Sequence, residues 1–198
     1  MYAIGNGESR AHLNINKLYG TKVGCNAILR DYTVDHLVCC DRRMVQEAIQ
    51  VEYNTLSYIY TRGDWHKHFS HHPRIRELPK LPYAGNQRWD DPFHWGSGPY
   101  AVLLAAKLAK DETVNLLGFD LYGNETLVNN LYKDTKNYAA AKSRSVDPRY
   151  WILQIAKVFE LFKHQKFIIY QTPEWNLPQA WIKPNVELDK ISNIYYNI

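Results

Sequence analysis

Short runs of consecutive apolar and β-branched residues recur along the chain, with polar stretches between them. Six of these runs lie at residues 1–5, 21–28, 35–41, 55–62, 113–123 and 164–172. A half-exposed strand alternates apolar and polar residues, whereas a continuous apolar run is typical of a strand covered on both faces. The pattern therefore predicts six buried strands in a mainly parallel sheet.

Three longer segments show the periodicity and start signals of helices, at 42–51, 97–111 and 147–164. Ser97 and Asp147 are candidate N-caps, with Pro99 and Pro148 in the first turn of the respective helix, an arrangement found at many helix N-termini. Helices that alternate with buried strands predict an α/β, Rossmann-like fold with helices on both faces of the sheet.

The length of the chain predicts a single domain over 1–198. Two segments of this domain depart from the alternation of strands and helices. Residues 63–96 hold five of the eight histidines and no clear periodicity, which predicts a lid-like insertion. Residues 173–198 are rich in tryptophan and proline and are expected to wrap the surface or to form a contact in a homo-oligomer.

Composition narrows the class of protein. Hydrophobic residues make up 45% and aromatic residues 14% of the 198 residues, which excludes a disordered chain. A net charge of +4 suits a small anionic ligand, whereas nucleic acid is expected to need a concentrated basic stripe. No apolar run reaches the roughly 20 residues of a membrane span.

Three cysteines, Cys25 and the adjacent pair Cys39 and Cys40, lie in apolar runs. An odd number with two neighbours is no disulfide framework, so we expect buried thiols in a reducing compartment. The chain opens without a charged segment followed by an apolar one, and we expect a cytoplasmic protein.

Two glycine-bounded turns are candidate anion sites. Gly5, Asn6 and Gly7 follow the first predicted strand, and Ser9 is placed to cap a following helix. This turn is open to two interpretations, a phosphate or nucleotide site and a plain structural turn. Ser97 and Gly98 open the second predicted helix, a second N-terminus suited to an anion.

Polar residues end two of the predicted strands. Asn26 follows the second strand and Asp41 the third. Ligands of α/β proteins bind beyond the carboxyl ends of strands, where an amide or carboxylate can contact a ribose or a base. Asn26 is equally well explained as a turn residue, and we favour Asp41 as the N-cap of the next helix.

A cluster of histidines falls in the inserted segment. Asp64, His66, His68, His71 and His72 lie within nine residues. The interpretations are a solvated loop, which we favour, a base or acceptor-binding group on a lid, and a transition-metal site that matches no structural zinc spacing. We therefore predict no metal site here.

The motifs "GNGES", "CN" at the second strand end, "SGPYA" and "GFDLY" occur in this order along residues 3–122. Together they resemble the bacterial sialyltransferases of glycosyltransferase family 42. They are also similar to the wider group of Maf-type flagellin glycosyltransferases and 6-hydroxymethylpterin diphosphokinase-like proteins. The stretch "YKDTKN" at 132–137 shows a weaker similarity to the same family, so the resemblance spans roughly residues 1–170.

The resemblance implies a nucleotide-binding role for one set of residues and catalysis for another. The residues that would bind the donor are Gly5, Asn6, Gly7, Ser9, Asn26, Asp41, Ser97 and Gly98. Tyr122 and Tyr132 would bind phosphate and assist its departure. The family's general base is a histidine, but this region reads "AKSRSVDPRYW", which leaves Asp147 as the nearest candidate base.

The expected function is therefore a nucleotide-dependent transferase, a sialyltransferase-like glycosyltransferase. It would use a nucleotide-activated sugar, with a CMP-sugar as the donor that the resemblance suggests, and a glycan or small molecule as acceptor. No further cofactor is required. Two alternatives stay open: a non-catalytic nucleotide- or sugar-binding protein, and a diphosphokinase-like enzyme that needs Mg²⁺ and ATP.

Overall fold

The structure is a computed structural model that describes residues 1–51, 56–81, 85–122 and 127–195. The predicted strand positions 55 and 123 lie outside the described residues. The strands are β1 Tyr2–Ile4, β2 Lys22–Cys25, β3 His36–Val38, β4 Tyr58–Thr61, β5 Ile75–Glu77, β6 Val114–Leu117, β7 Phe167–Gln171 and β8 Val186–Lys190. The α-helices are α1 Arg42–Val51, α2 Gly63–His68, α3 Ser97–Ala109 and α4 Arg149–Leu161.

The eight strands of the described ranges form one sheet in the order β5-β4-β3-β2-β1-β6-β7-β8. Every neighbouring pair is parallel. The predicted α/β fold with a mainly parallel sheet is therefore confirmed. The six predicted strands are present, and β5 and β8 are added at the two edges.

Apolar side chains cover both faces of this sheet, because successive residues of a strand point to opposite sides. On one face, Ala3 of β1 packs in a core with the apolar side chains of α3 and α4. On the other face, Tyr2 and Ile4 pack with Met44 and Val45 of α1. The continuous apolar runs in the sequence reflect this two-sided burial.

The chain direction across the sheet defines where a ligand can enter. From β1 the chain moves outward through β2, β3, β4 and β5, and then crosses to β6 on the other side of β1. The order therefore reverses at β1 and β6, and α/β sheets open a crevice at the carboxyl ends of such strands. Helix α3 packs against β1, β2, β3 and β6 and begins at this edge, where the Ser97 Oγ accepts a hydrogen bond from the backbone N–H of Cys40.

The predicted lid-like insertion at 63–96 has two parts in the structure. The first part, α2 and β5, extends the sheet at its edge. The second part contains two short 3-10 turns, Arg88–Asp90 and Pro92–His94, and the former packs on α4. Its last residues reach the crevice. The tail from 173 likewise runs along α4 and then supplies β8.

Within the described ranges, none of the helices combines the length and the apolar character that crossing a membrane requires.

Candidate functional site

A cleft of about 460 Å³ lies at the carboxyl ends of β1 and β6. It extends across the ends of β2 and β3 to the start of α3. Seven of the eight predicted donor-binding residues line this cleft: Gly5, Asn6, Gly7, Asn26, Asp41, Ser97 and Gly98. The structure thus brings together residues from four separate stretches of sequence.

The turn after β1 is fixed mainly by its backbone. The N–H of Gly5 donates to the carbonyl of Leu117 at 2.8 Å, and that of Gly7 to the carbonyl of Gly118 at 2.9 Å. A Cβ on Gly5 would lie 2.3 Å from the Gly118 oxygen, and Gly118 has a φ of +68° that favours glycine. The two loops therefore approach each other at a distance that excludes side chains.

The sequence left open whether the turn at residues 5–9 binds an external anion or is purely structural. In the structure an acidic side chain of the protein itself, Asp120, bonds to this turn. The Asp120 carboxylate accepts hydrogen bonds from the Ser9 N–H at 2.8 Å and from the Ser9 hydroxyl. The N–H of Glu8 donates to Asn129 Oδ1 at 2.8 Å. The following helix is a single 3-10 turn, Glu8–Arg10, and Ser9 lines a neighbouring cavity instead of the cleft. The turn shapes the cleft wall, while the N–H groups of Gly5, Gly7, Glu8 and Ser9 bond within the protein.

The side chain of the buried Arg10 holds Asn6 in place by a hydrogen bond. The Arg10 side chain is 1% exposed, and it donates from Nε to the Gly5 carbonyl at 2.6 Å and from Nη2 to Asn6 Oδ1 at 3.3 Å. Asn6 Nδ2 in turn donates to the Cys25 carbonyl and to the Tyr138 hydroxyl, both at 3.3 Å. These bonds fix the turn against β2.

The N-terminus of α3 opens into the same cleft. Its N-cap residue is Gly96, and among the described residues no side chain caps it. The first N–H groups of a helix lack partners within the helix, and the helix dipole places partial positive charge there. A Cβ on Gly98 would meet only the Phe119 ring, at 3.5 Å, so there is space above this terminus. Arg62 also lines the cleft, where its guanidinium pairs with the Asp64 carboxylate at 3.1 Å and donates to the Phe93 carbonyl at 3.0 Å.

Two polar side chains complete the strand ends. Asn26 adopts a φ of +52°, and its buried Oδ1 has no hydrogen-bond partner within the described part of the chain. Asp41 precedes α1, and its carbonyl accepts the N–H groups of Met44 and Val45, each at 3.0 Å. The backbone of Asp41 thus takes the N-cap position that we favoured, and the residue also lines the cleft.

The three predicted catalytic residues do not line the cleft. Tyr122 is 41% exposed and lines the neighbouring cavity. Tyr132 lies in the core with 4% exposure, and burial raises its pKa to about 12. Asp147 is on the surface, where Arg149 donates to it from the backbone N–H at 3.0 Å and from Nε at 2.6 Å. The backbone N–H of Arg149 lowers the pKa of Asp147.

Sequence reasoning missed the aromatic wall of the cleft. Phe93, His94 and Trp95 enter it from the end of the inserted segment, and Trp151 enters from α4. Trp95 is 1% exposed, and its Nε1 has no partner among the residues that the structure describes. A signal was present, because these aromatic residues directly precede the glycine that opens α3.

The histidine cluster lies away from the cleft. His66 and His68 belong to α2, and His66 Nδ1 lies 4.0 Å from a Glu77 carboxylate oxygen. The described ranges contain no group of three or more potential metal ligands. His94 is the histidine of the inserted segment that does line the cleft.

The cysteines are buried free thiols, as predicted. Cys25 and Cys40 line the cleft, and burial raises the pKa of both to about 12. Burial likewise raises the pKa of Cys39 well above its usual value. All three thiols are therefore protonated and uncharged at neutral pH. Because the thiolate is the form that acts as a nucleophile or a metal ligand, we assign neither role to them.

Comparison with known proteins finds no matching family model, no matching curated protein and no matching solved structure.

Proposed function

We propose that the protein binds a nucleotide-activated sugar in the cleft and transfers the sugar to an acceptor hydroxyl. The observation that carries this proposal is the N-terminus of α3, which opens, without a side-chain cap among the described residues, into the crevice where the strand order reverses. Such a terminus binds phosphate through backbone N–H groups and the helix dipole.

The lining of the cleft supports a nucleotide as the anionic ligand. In this proposal the phosphate lies over Ser97 and Gly98 at the start of α3. The unpartnered Asn26 Oδ1 accepts a hydrogen bond from a ribose hydroxyl or from an exocyclic amine of the base. The aromatic wall offers a face for the base.

The transfer step needs a group that takes a proton. The acceptor oxygen attacks the anomeric carbon, the bond from that carbon to the phosphate oxygen breaks, and the nucleotide leaves with the electron pair. The acceptor's hydroxyl proton passes to a base, and the cleft lining offers the His94 imidazole and the Asp120 carboxylate for this role. Asp147 is held outside the cleft by Arg149.

Thermal-shift measurements with CMP, UDP, GDP and ATP, each with and without Mg²⁺, test the donor site. The paired variants Gly98→Asp and Gly98→Asn add side chains of equal size at a position with space for a Cβ. The aspartate places a carboxylate where the phosphate is proposed to bind, so we expect it to weaken nucleotide binding by roughly tenfold more than the asparagine does. Both free proteins should melt close to the wild type.

Hydrolysis and transfer assays with the matching nucleotide sugar then test the chemistry. We expect slow hydrolysis without acceptor and faster donor consumption with acceptor. Equal binding by the two Gly98 variants would contradict the phosphate position. Tight nucleotide binding with no turnover would identify a binding protein, and turnover of ATP that depends on Mg²⁺ would identify a phosphotransferase.

A further inference from the structure

A second cavity of about 540 Å³ adjoins the cleft at the carboxyl end of β7. Asp120 and Asn129 line both cavities, so these two residues form the boundary between them. Gln171 closes the cavity at the end of β7, and its Nε2 donates to Asp120 Oδ1 at 2.9 Å. A ligand in this cavity would lie directly beside one bound in the cleft.

One wall of the second cavity is aromatic and fixed. The rings of Tyr122 and Trp175 lie 6.4 Å apart at 42°. Trp175 Nε1 donates to the Asp120 carbonyl at 2.7 Å, and its ring also contacts the buried Trp181 at 6.1 Å. An aromatic face held in this way can pack against the C–H bonds of a sugar ring with little loss of side-chain entropy.

The rest of the cavity is polar and carries negative charge. Asp120 and Glu174 supply carboxylates, and Glu8 supplies a third that pairs with Lys133. Among the described lining residues there is no lysine or arginine. Carboxylates accept hydrogen bonds from hydroxyl groups, and side-chain amides both accept and donate them, whereas a phosphate or a sugar acid would be repelled.

We propose that the second cavity binds a neutral sugar ring, which is the acceptor of the transfer reaction. The ring packs on Tyr122 and Trp175, and one of its hydroxyl groups points to Asp120. Among the described residues, Asp120 Oδ2 accepts one hydrogen bond, from Ser9, and a carboxylate oxygen can accept a second.

This assignment as acceptor rests on the proposed function and selects Asp120 as the base. The proton of the acceptor hydroxyl passes to Asp120, while the oxygen of that hydroxyl forms a bond to the anomeric carbon of the donor in the cleft. The bond between that carbon and the donor phosphate breaks, and the nucleotide leaves.

Saturation-transfer NMR on the full chain tests the sugar site without any nucleotide. The probes are the neutral methyl glycosides of glucose, galactose and N-acetylglucosamine, with methyl glucuronide as the charged counterpart. We expect at least one neutral glycoside to bind and methyl glucuronide to bind roughly tenfold more weakly. Glu174→Gln should reduce that difference.

The variant Tyr122→Ala removes half of the aromatic wall and should weaken neutral glycoside binding by roughly tenfold. Its matched control is Tyr150→Ala, because Tyr150 is similarly exposed at 38% but lies on α4 outside the cavity. Melting curves of both variants check that the fold is kept.

Absence of binding by all the neutral glycosides, or equal binding by the Tyr122 and Tyr150 variants, would overturn the inference. Because no nucleotide is present, that failure leaves the donor site intact, and nucleotide thermal shifts would persist. Glycoside binding without any nucleotide binding would instead support the sugar site and contradict the proposed function.

Discussion

Gly7 and Asp120 share a space in which only one of them can have a side chain. A Cβ on Gly7 would lie 2.3 Å from Asp120 Cγ and 2.4 Å from its Oδ1. Gly7 itself has a φ of −65°, which any residue adopts, so the requirement for glycine is steric. The carboxylate that separates the two cavities can bond to Ser9 because residue 7 has no side chain.

Gly7→Ala is therefore expected to displace the Asp120 carboxylate and to break its bonds to Ser9. Overpacking of this kind costs about 1–3 kcal/mol, and we expect a value near the upper end because hydrogen bonds are lost too. Urea unfolding should show a lower midpoint with an unchanged slope.

The control for this substitution is Gly98→Ala, which adds the same methyl group where the nearest neighbour is 3.5 Å away. Alanine is favoured over glycine in a helix by roughly 0.5–1 kcal/mol, so this variant should be as stable as the wild type or slightly more stable. Equal destabilisation by the two substitutions would show that Gly7 has no steric role.

The structure brings predicted residues together where the fold imposes convergence. Asn26, Asp41 and Ser97 were predicted at strand ends or a helix start, and parallel strands bring such positions to one edge. The pairing of Ser9 with Asp120 spans 111 positions, and no local pattern encodes it. The polar residues after β6 likewise have no periodicity that would place Tyr132 in the core.

At the scale of elements, the tail is integrated into the fold by side-chain contacts with α4. The Asn185 amide donates to the carbonyls of Phe159, Phe162 and Gln165 at 3.1–3.2 Å, which satisfies the end of that helix. Trp181 is fully buried, and its Nε1 donates to the Ile152 carbonyl at 2.8 Å. The tail thus contributes to the core and positions Trp175 at the second cavity.

We expect Trp181→Ala to destabilise the protein by about 3–5 kcal/mol, the usual cost of deleting a large buried aromatic side chain. The ring packs on Phe159 at 5.6 Å, and its loss would leave a cavity between α4 and the tail. Chemical denaturation measures the change. The adjacent Ile182 is 62% exposed, and Ile182→Ala should alter stability by less than about 0.5 kcal/mol. Comparable losses from both would mean that the tail does not pack as described.

Sequence patterns predicted the central elements of the sheet and missed its edges for one physical reason. Strands β1, β6 and β7 are covered on both faces and therefore read as apolar runs. The edge strand β8 has the sequence VELDK and no fully buried residue, and β5 is three residues long with one buried. Edge strands need little apolar surface, so an apolar pattern cannot reveal them.

On the scale of the whole molecule, several buried acids stay protonated in the folded state. Burial raises the pKa of Cys25 and Cys40 from 9.0 to about 12, and that of Cys39 well above 9.0. Burial also raises the pKa of Tyr100 and Tyr138 above the usual value of 10.0. In the unfolded chain these groups ionise at their usual values.

The sign of the resulting pH dependence follows from proton counting. Well below pH 9 the thiols are protonated in both states and add no pH dependence, and the unfolded chain begins to lose thiol protons as the pH approaches 9. Above pH 9 the unfolded chain releases thiol protons that the folded protein retains, so stability falls as the pH rises. Between pH 9 and 10 each thiol should remove about 1 kcal/mol, or about 3 kcal/mol for all three. The tyrosines begin to add to the loss between pH 9 and 10 and contribute more strongly above pH 10.

Urea unfolding at pH 8, 9 and 10 measures this loss, and Cys39→Ala provides the internal control. The substitution changes the stability at every pH, but it removes one titrating thiol, so the loss between pH 9 and 10 should shrink by about 1 kcal/mol. Groups with a lowered pKa, the Met1 amine and His36, have usual values of 8.0 and 6.5, so they have finished titrating by about pH 9 and do not contribute between pH 9 and 10. A loss that is unchanged by Cys39→Ala would show that this thiol is not protected in the folded protein. Because Cys25 and Cys40 line the cleft, the same result obtained with Cys40→Ala would mean that the cleft admits solvent to its thiols.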